Sequence, residues 1–351
     1  MKNEVFSQRL KNARLMKGMT QDEVVAALGE TLSKNALSRY ERGDMMPRYH
    51  ILLALSRVFG VQLEYFFRPF TVEISDFEYR TKEDMPSMER EQLRLEVITV
   101  MERRLQTEEL LGLEQHFVNP LQGFPAVKNA DDIEKAAMQL REAWQIGQHG
   151  MLNIYGMLEH FGIKVVELTA NEVFDGMKAT INKQVPVIVV NTAMTIERRR
   201  YTVLHELAHL LLTFDEALEP KKVESLCNIF PGAVLLPADT YRELIGAPRE
   251  TVSLQELIPI KNQFGISLQA LVYRAARLKF ISQATVDRFV KFIETNKKEE
   301  GLGGYYGNEV ADRFEQLVVR ACHQHRITRS RAAELLGIEE RELPVHFDTV
   351  W

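Results

Sequence analysis

The feature that most constrains this chain is the five-residue pattern His205-Glu206-Leu207-Ala208-His209, which lies in the apolar run RRRYTVLHELAHLLLTF. The run has the period of an amphipathic helix, on which residues i and i+4 share one face about 6 Å apart along the axis. Both imidazoles therefore leave the helix in nearly the same direction and can bind a single cation. Glu206 is offset by about 100° around the axis, so it can reach a water held by that cation without being a ligand itself.

The flanks of this pattern predict that the helix is buried. Its apolar neighbours are Tyr201, Val203, Leu204, Leu210, Leu211 and Leu212. Two histidines and a glutamate on a buried helix need partners, because burying unpaired polar groups costs free energy. A metal ion supplies such partners, and the pattern is typical of zinc metallopeptidases. The alternative is a surface helix that carries an ordinary His/Glu pair.

A third metal ligand is expected downstream, because a catalytic zinc ion usually has three protein ligands and one water. The acidic candidates are Asp215, Glu216, Glu219 and Glu224. The first three fall in the polar run DEALEP at the end of the helix, which is typical of a solvated turn. Glu224 follows Pro220 in a new helix, and an antiparallel helix can present its carboxylate to the metal. The sequence therefore favours Glu224 as the third ligand, with Glu206 as the general base.

The N-terminal 70 residues are basic, although the whole chain is acidic. Their formal charge is +4, that of the remainder is −9, and the total is −5. A basic N-terminal region in an otherwise acidic chain indicates that only this region binds a polyanion. The alternative is a chance fluctuation in a small number of charged residues. The run TQDE at residues 20–23 predicts a capping box, and short apolar stripes broken by glycines predict an all-helical domain.

Composition and turn signals divide the chain into four parts. We expect a helical domain over residues 1–70, a strand and helical connector over 71–125, a domain that holds the metal motif over 126–300, and a helical C-terminal segment over 301–351. The predicted fold class is α+β multidomain. In the third part FDGMKAT and VPVIVVN predict strands. Either strand can pair with an extended substrate backbone, or simply with the rest of its sheet.

Several classes of protein are excluded by composition. Hydrophobic residues make up 45% of the chain and charged residues 26%, as in an ordinary globular protein. No apolar run approaches the roughly 20 residues that cross a bilayer, and the first residues lack the apolar core of a signal peptide. The two cysteines, Cys227 and Cys322, cannot form a disulfide framework or a thiolate zinc cluster. We therefore expect a cytoplasmic protein with no membrane partner.

Residues 7–66 resemble the XRE-type (lambda repressor/Cro-like) helix-turn-helix family, through MTQDEVVAALG, SKNALSRYERG, Pro47 and ALSRVFGVQLEYFF. The resemblance implies that the third helix enters the major groove of double-stranded operator DNA. The implied contacts with bases come from Lys34, Asn35 and Ser38, with Arg39 as a further candidate, and the implied contact with phosphate comes from Gln21. Tyr40 and Glu41 are expected to be structural. Two extra residues near Glu30-Thr31 lengthen the turn before the third helix.

Residues from about 140 to 295 resemble the ImmA/IrrE metallopeptidase family, through PVIVVN, RRRYTVLHELAHLLL, AVLLP, and Glu224 with Asn228. The resemblance implies a zincin-like α+β domain in which His205, His209 and Glu224 bind Zn²⁺ and Glu206 is the catalytic base. Mn²⁺ or Fe²⁺ can occupy the same set of ligands. The stretch Phe230-Pro231-Gly232 departs from the small residues usual in the family, but it contains no implied ligand.

Together the two resemblances imply a transcriptional regulator with a zinc-dependent, site-specific endopeptidase domain. The implied substrate is an XRE-type repressor, or another copy of the chain, in a stress or mobile-element response. A homodimer is also expected, because paired DNA half-sites match a two-fold axis. Two alternatives stay open, namely a non-proteolytic metal- or ligand-sensing transcription factor and an antitoxin-like partner-binding regulator. Glu206 argues against both, because a sensing site needs no base at that position.

Overall fold

The computed structural model describes residues 2–81, 85–114, 116–295, 299–343 and 347. The chain forms two compact units. The first comprises Met1–Ile74, Glu83–Glu114 and Leu317–Trp351, and the second comprises Ser75–Lys82 and Gln115–Gln316. Each unit draws on segments that the four-part division separates, and that division stays a prediction.

The elements of the described residues are mostly helices, with four strands. In chain order they are α1 Lys2–Met16, α2 Gln21–Ala27, α3 Lys34–Glu41, α4 Tyr49–Phe59, β1 Ile74–Thr81, α5 Ser87–Leu110, α6 Ala130–Ala143, α7 Ile154–His160, β2 Lys164–Leu168, β3 Phe174–Ile181, β4 Val185–Asn191, α8 Ile196–Leu211, α9 Pro220–Cys227, α10 Phe230–Leu235, α11 Ala238–Ile245, α12 Leu254–Phe264, α13 Leu268–Arg277, α14 Gln283–Thr295, α15 Arg313–His323 and α16 Arg329–Leu336. Within the described residues, none of these helices combines the length and the apolar run that a membrane span requires. The predicted α+β class with helical ends is confirmed.

The first four helices pack around one apolar core, as the sequence predicted. Thr20 caps α2, because its side chain accepts a hydrogen bond from the Glu23 N–H while the Glu23 carboxylate accepts one from the Thr20 N–H. The extra residues before the third helix form a turn of 3₁₀ helix over Gly29–Thr31. The core includes Phe6, Leu10, Ala13, Val24, Leu37, Leu55, Phe59 and Phe66.

The connector helix α5 and the C-terminal helix α16 also belong to the first unit. Arg9 on α1 is 1% exposed, and its guanidinium forms a bidentate ion pair with Glu102 of α5 at 2.7 and 2.8 Å. Arg68 forms a second ion pair with Glu334 of α16. The bidentate pair of Arg9 and Glu102 fixes orientation as well as distance, and the two ion pairs together join α5 and α16 to the helical domain.

The second unit is built on a mixed four-stranded sheet with the strand order β1-β3-β4-β2. β4 pairs antiparallel with β3, where Gly176 faces Val190, and parallel with β2, where Val166 faces Val189. Nearly every residue of β4 is buried, which explains its continuous apolar sequence. Both FDGMKAT and VPVIVVN therefore pair with other strands of the sheet, as one of the two sequence alternatives predicts, and pairing of either strand with a substrate stays a prediction.

Helix α8 packs across β3 and β4. The approach to β3 is close, because a Cβ atom added to Gly176 would lie 2.7 Å from Cγ2 of Thr202 and 2.8 Å from the carbonyl oxygen of Val189. A larger residue at Gly176 would therefore push the helix off the sheet. At the other end of the contact, Nζ of Lys178 donates to the carbonyl oxygen of His209 at 3.3 Å.

A buried ion pair holds the Gly-rich segment after α14 on the second unit. Arg200 of α8 is fully buried and pairs with Glu309, whose Oε2 accepts a hydrogen bond from the Ile154 N–H at 2.8 Å. The Tyr305 ring lies 4.0 Å from the Arg200 guanidinium. Because a buried charge needs a complete set of partners, this segment is part of the α8 environment rather than a loose linker.

Candidate metal centre

His205, His209 and Glu224 meet at one point. The two Nε2 atoms lie 3.1 Å apart. Glu224 places Oε2 at 3.5 Å from Nε2 of His205 and Oε1 at 3.2 Å from Nε2 of His209. Across the described part of the chain, these are the three potential metal-binding side chains whose ligand atoms all lie within 4.8 Å of one another.

This set of donors fits a small divalent cation. In a tetrahedral zinc site with bonds of about 2.1 Å, neighbouring ligand atoms lie about 3.4 Å apart. The three separations of 3.1, 3.2 and 3.5 Å form such a triangle. Two imidazoles and one carboxylate are also a known ligand set of catalytic zinc, and the same donors accept Mn²⁺ or Fe²⁺.

The electrostatics of Glu224 favour the form that binds a cation. Hydrogen bonds from His205 and then His209 hold the pKa of Glu224 far below its usual range, although burial opposes them. The side chain of Glu224 is 56% exposed, whereas that of His205 is 2% exposed. The imidazole of His205 therefore closes one side of the site. The ionised carboxylate of Glu224 lies on the side that is open to solvent, and a water or a substrate can approach from that side.

The other acidic candidates lie outside this group of ligands. Glu206 is buried on the same turn of α8 as His205, and its role as general base stays a prediction. Asp215 closes a turn, because its Oδ1 accepts from the Ala217 N–H at 3.0 Å, and Glu219 is the residue that precedes α9. Neither contributes to the three grouped ligand atoms.

The predicted DNA-contacting residues lie on α3 and at the start of α2. Lys34, Asn35 and Arg39 are exposed, and Ser38 is half-buried. Lys34 pairs with Asp22 at 2.7 Å, where both side chains face solvent. Such an exposed pair contributes little to stability, so Lys34 can exchange its partner for a phosphate or a base.

Gln21, Tyr40 and Glu41 form part of the helical domain itself. Tyr40 is buried, and Glu41 forms an ion pair with Arg14 at 2.6 Å. Their predicted structural roles are confirmed. Gln21 donates a hydrogen bond to the Glu41 carboxylate at 2.8 Å, so it bonds within the domain rather than pointing freely outward.

Comparison with known protein families accounts for both regions. Residues 10–66 match the Helix-turn-helix family model, and residues 158–276 match the IrrE N-terminal-like domain model. The chain joins an XRE-type helix-turn-helix domain to an IrrE-type domain. The second match contains α8 and α9, and therefore all three side chains of the metal centre.

Individual relatives overlap this chain only in part. Radiation response metalloprotease IrrE of Deinococcus deserti is 32% identical over 71 residues, which are 17% of this chain and 25% of that protein. The chain thus spans about a quarter of that relative. A Mycobacterium tuberculosis transcriptional regulator is 18% identical over 51% of each chain, with a TM-score of 0.33. The apo form of ComR from S. Thermophilus is 14% identical over 99% of this chain and 96% of that one, with a TM-score of 0.18. At such scores neither structure bears on the function of this chain.

In the IrrE-type domain, Cys227 is a neighbour of the metal centre that the sequence reasoning missed. Its buried Sγ lies 3.6 Å from Nδ1 of His209. When Nε2 of His209 holds a metal ion, the proton of the neutral ring is on Nδ1, the nitrogen that faces the sulfur. Glu224 and Cys227 are three residues apart on α9, and this spacing was the available signal, because it puts both on one face.

We expect Cys227→Ala to weaken zinc binding by about 10- to 100-fold, because a ligating histidine depends on the partner of its second nitrogen for its orientation. Competition with a chromophoric chelator measures the dissociation constant. Cys322→Ala is the matched control, since this other free cysteine lies in the first unit of the chain. Equal constants for Cys227→Ala and wild type would show that the thiol does not orient His209.

Side chains of α8 and β3 hold in place the two helices that carry the candidate ligands of the IrrE-type domain. The hydroxyl of Tyr201 donates to the carbonyl oxygen of Asn228, which follows α9 directly. The hydrogen bond from Lys178 fixes the backbone of His209. The two helices that carry the ligands are therefore joined to each other and to the sheet by side chains close to the ligands.

Proposed function

We propose that this chain is a DNA-binding transcriptional regulator whose IrrE-type domain is a zinc-dependent, site-specific endopeptidase. The observation that carries the proposal is the triangle of donor atoms from His205, His209 and Glu224, with sides of 3.1 to 3.5 Å. His205 and His209 lie on α8, whose motif also supplies Glu206 as a base. The family matches support a metallopeptidase, and the relative in Deinococcus deserti is named as a radiation response metalloprotease.

The residues of the site divide the chemistry between them. When bound, a zinc ion lowers the pKa of a coordinated water towards 7 and polarises the carbonyl of the scissile peptide. The Glu206 carboxylate accepts the proton of the attacking water and returns it to the nitrogen of the leaving amine. His205 and His209 hold the site through Nε2, while Glu224 supplies the negative charge on its open side.

The two domains suggest how a substrate is selected. We propose that the substrate is an XRE-type repressor or another copy of this chain, cut in a stress or mobile-element response in the cytoplasm. A protein that binds the same operator or a neighbouring one is held near the peptidase, which raises its effective concentration. The helix-turn-helix domain then selects the substrate by its position on DNA, and the peptidase needs little sequence preference of its own.

On the DNA side, we propose that Lys34, Asn35 and Ser38 read base edges, with help from Arg39. Their exposure on α3 supports this assignment. Gln21 donates one amide N–H to Glu41, and its second N–H can donate to a phosphate. A homodimer would place two such helices on half-sites about 34 Å apart.

The double variant Lys34→Ala/Asn35→Ala tests this assignment. We expect its affinity for specific DNA to fall by about 10- to 100-fold or more, because a good base contact contributes about 1–3 kcal/mol. Fluorescence anisotropy measures the affinity, on a duplex selected from genomic fragments by the wild-type chain. The exposed pair with Asp22 contributes little to stability, so the variant keeps its fold.

Glu206→Gln is the matched variant in this experiment, and it should bind the duplex as the wild type does. In the absence of DNA, the α3 variant should cleave fluorescein-labelled casein at the wild-type rate. Unchanged DNA affinity in the α3 variant would contradict the role of α3. A parallel loss of affinity and cleavage would indicate unfolding, which circular dichroism detects.

A further inference from the structure

The sheet of the second unit contains a strand that the IrrE-type domain does not supply. β1 comes from the connector segment at residues Ile74–Thr81, whereas the family match begins at residue 158. The strand order β1-β3-β4-β2 places β1 at the edge of the sheet, next to β3. Within the described strands, the sheet therefore consists of three strands from the peptidase domain and one from about 100 residues earlier in the chain.

β3 is a strand that packs against α8, the helix that carries His205 and His209. Three successive contacts join β3 to α8, namely Asp175 with Arg198 at 2.5 Å, Gly176 with Thr202, and Nζ of Lys178 with the carbonyl oxygen of His209 at 3.3 Å. Thr202 lies one helical turn before Glu206, and His209 is a metal ligand. β3 thus runs beside the segment of α8 that carries the chemistry.

An extended peptide can add to a sheet through its backbone, provided that the edge it meets is unpaired. For β3, one side is taken by β4, from Gly176 opposite Val190 to Ile181 opposite Val185. The other side is taken by β1, and Oγ of Ser75 lies 3.5 Å from the carbonyl oxygen of Thr180. A substrate strand therefore finds both sides of β3 occupied.

We infer that β1 is a resident strand that covers the peptide-binding edge of β3 and holds the peptidase closed until it is displaced. The inference rests on the proposed function, and it deepens it by naming how the site is regulated. The occupant is the segment ISDFEYRT of this chain, so a substrate must compete with it as an extended strand. Because β1 is tethered, it competes at an effective concentration of about millimolar, and weakly binding peptides are excluded.

The test removes the pairing of β1 without cutting the chain. In Phe77→Pro/Glu78→Pro, two adjacent backbone N–H donors are lost, so one ladder hydrogen bond disappears whichever of the two faces β3. The matched control is Phe77→Ala/Glu78→Ala, which alters the same side chains and keeps both donors. All proteins also carry Glu206→Gln, so that exchange and binding are measured without cleavage.

Hydrogen–deuterium exchange of the β3 amides reports whether the edge is covered. We expect exchange at least about tenfold faster in the proline variant than in the alanine control, because an uncovered edge exchanges through local opening. The amides of β2, on the far side of the sheet, should not change. A synthetic peptide TVEISDFEYRTKED, which copies residues 71–84, should restore slow exchange, and a scrambled peptide should not. If the prolines unfold the unit, replacing residues 75–81 by a Gly-Ser segment of equal length is the second variant.

Activity is then measured with wild-type Glu206, zinc and fluorescein-labelled casein. We expect the proline variant to cleave casein at least about tenfold faster than the alanine control, and the synthetic peptide to inhibit it. Unchanged β3 exchange would overturn the inference, and so would cleavage of the zinc-loaded wild type within residues 75–81, because β1 would then be a substrate. Faster exchange and peptide binding without casein cleavage by any protein would support the resident strand and contradict the proposed peptidase.

Discussion

Glu206→Gln is expected to abolish peptide cleavage and to leave the metal in place. Glutamine keeps the shape of the side chain but cannot accept a proton, and positioned proton transfer contributes about 10²- to 10⁴-fold to a rate. The loss of activity should be of that size. Cleavage of casein by zinc-loaded wild type and variant gives the rate, and metal per chain from mass spectrometry gives the occupancy.

The matched control for this change is Glu219→Gln, an acidic residue between α8 and α9 that lies outside the group of candidate ligands. It should cleave at the wild-type rate. Cleavage that persists in Glu206→Gln would remove Glu206 from the mechanism. A regulatory effect in cells that persists without cleavage would favour a metal- or ligand-sensing factor instead.

His205→Ala is expected to lose the metal. His205 is 2% exposed, and its Nε2 lies within 3.5 Å of ligand atoms of both His209 and Glu224. In the alanine variant, a water cannot take the place of this Nε2 atom unless α8 repacks. Near one metal per chain is expected for wild type and Glu206→Gln, and little for His205→Ala. At a zinc concentration about 1,000 times the dissociation constant, binding stabilises the folded wild type by about 4 kcal/mol, and this gain should vanish in the variant.

Scanning calorimetry with and without zinc measures that gain. Each protein is its own control, because the zinc-free transition already contains any packing cost of the substitution. A zinc-dependent rise in melting temperature for His205→Ala equal to that of wild type would contradict the assignment of this ligand. It would also direct attention to a site outside the three grouped side chains.

The grouping of the three candidate metal ligands was largely predictable because its signals are local. His205 and His209 are four residues apart on one helix, and Glu224 follows a proline that begins the next helix. The capping box of Thr20 and Glu23 is equally local, and the structure confirms it. Cys227 was within reach of the same reasoning, since it lies one turn after Glu224. It was missed because a single cysteine carries no spacing pattern of its own.

The strands that pair with β3 could not be predicted from the sequence, and the reason is physical. Alternation along FDGMKAT indicates a strand, but not which strands it pairs with. The contact between Ser75 and Thr180 joins residues 105 positions apart, and nothing in either segment encodes that pairing. The same holds for Arg200 and Glu309, which are 109 positions apart and meet in the core. Long-range pairing depends on the whole fold, because it forms only after chain entropy has been lost elsewhere.

The ion pair between Arg9 and Glu102 has a consequence for any cut in the connector. The first unit is discontinuous, because the chain leaves it after Ile74 and returns at Glu83. A single broken peptide bond between them would leave Arg9 on one fragment and Glu102 on the other, still joined through α1 and α5. Separating the two fragments would break both hydrogen bonds of this pair and expose the apolar residues of α5 that are buried in the folded chain. The helix-turn-helix domain would thus stay bound to α5 after a single cleavage. Its release would require unfolding, or a partner that takes the place of α5.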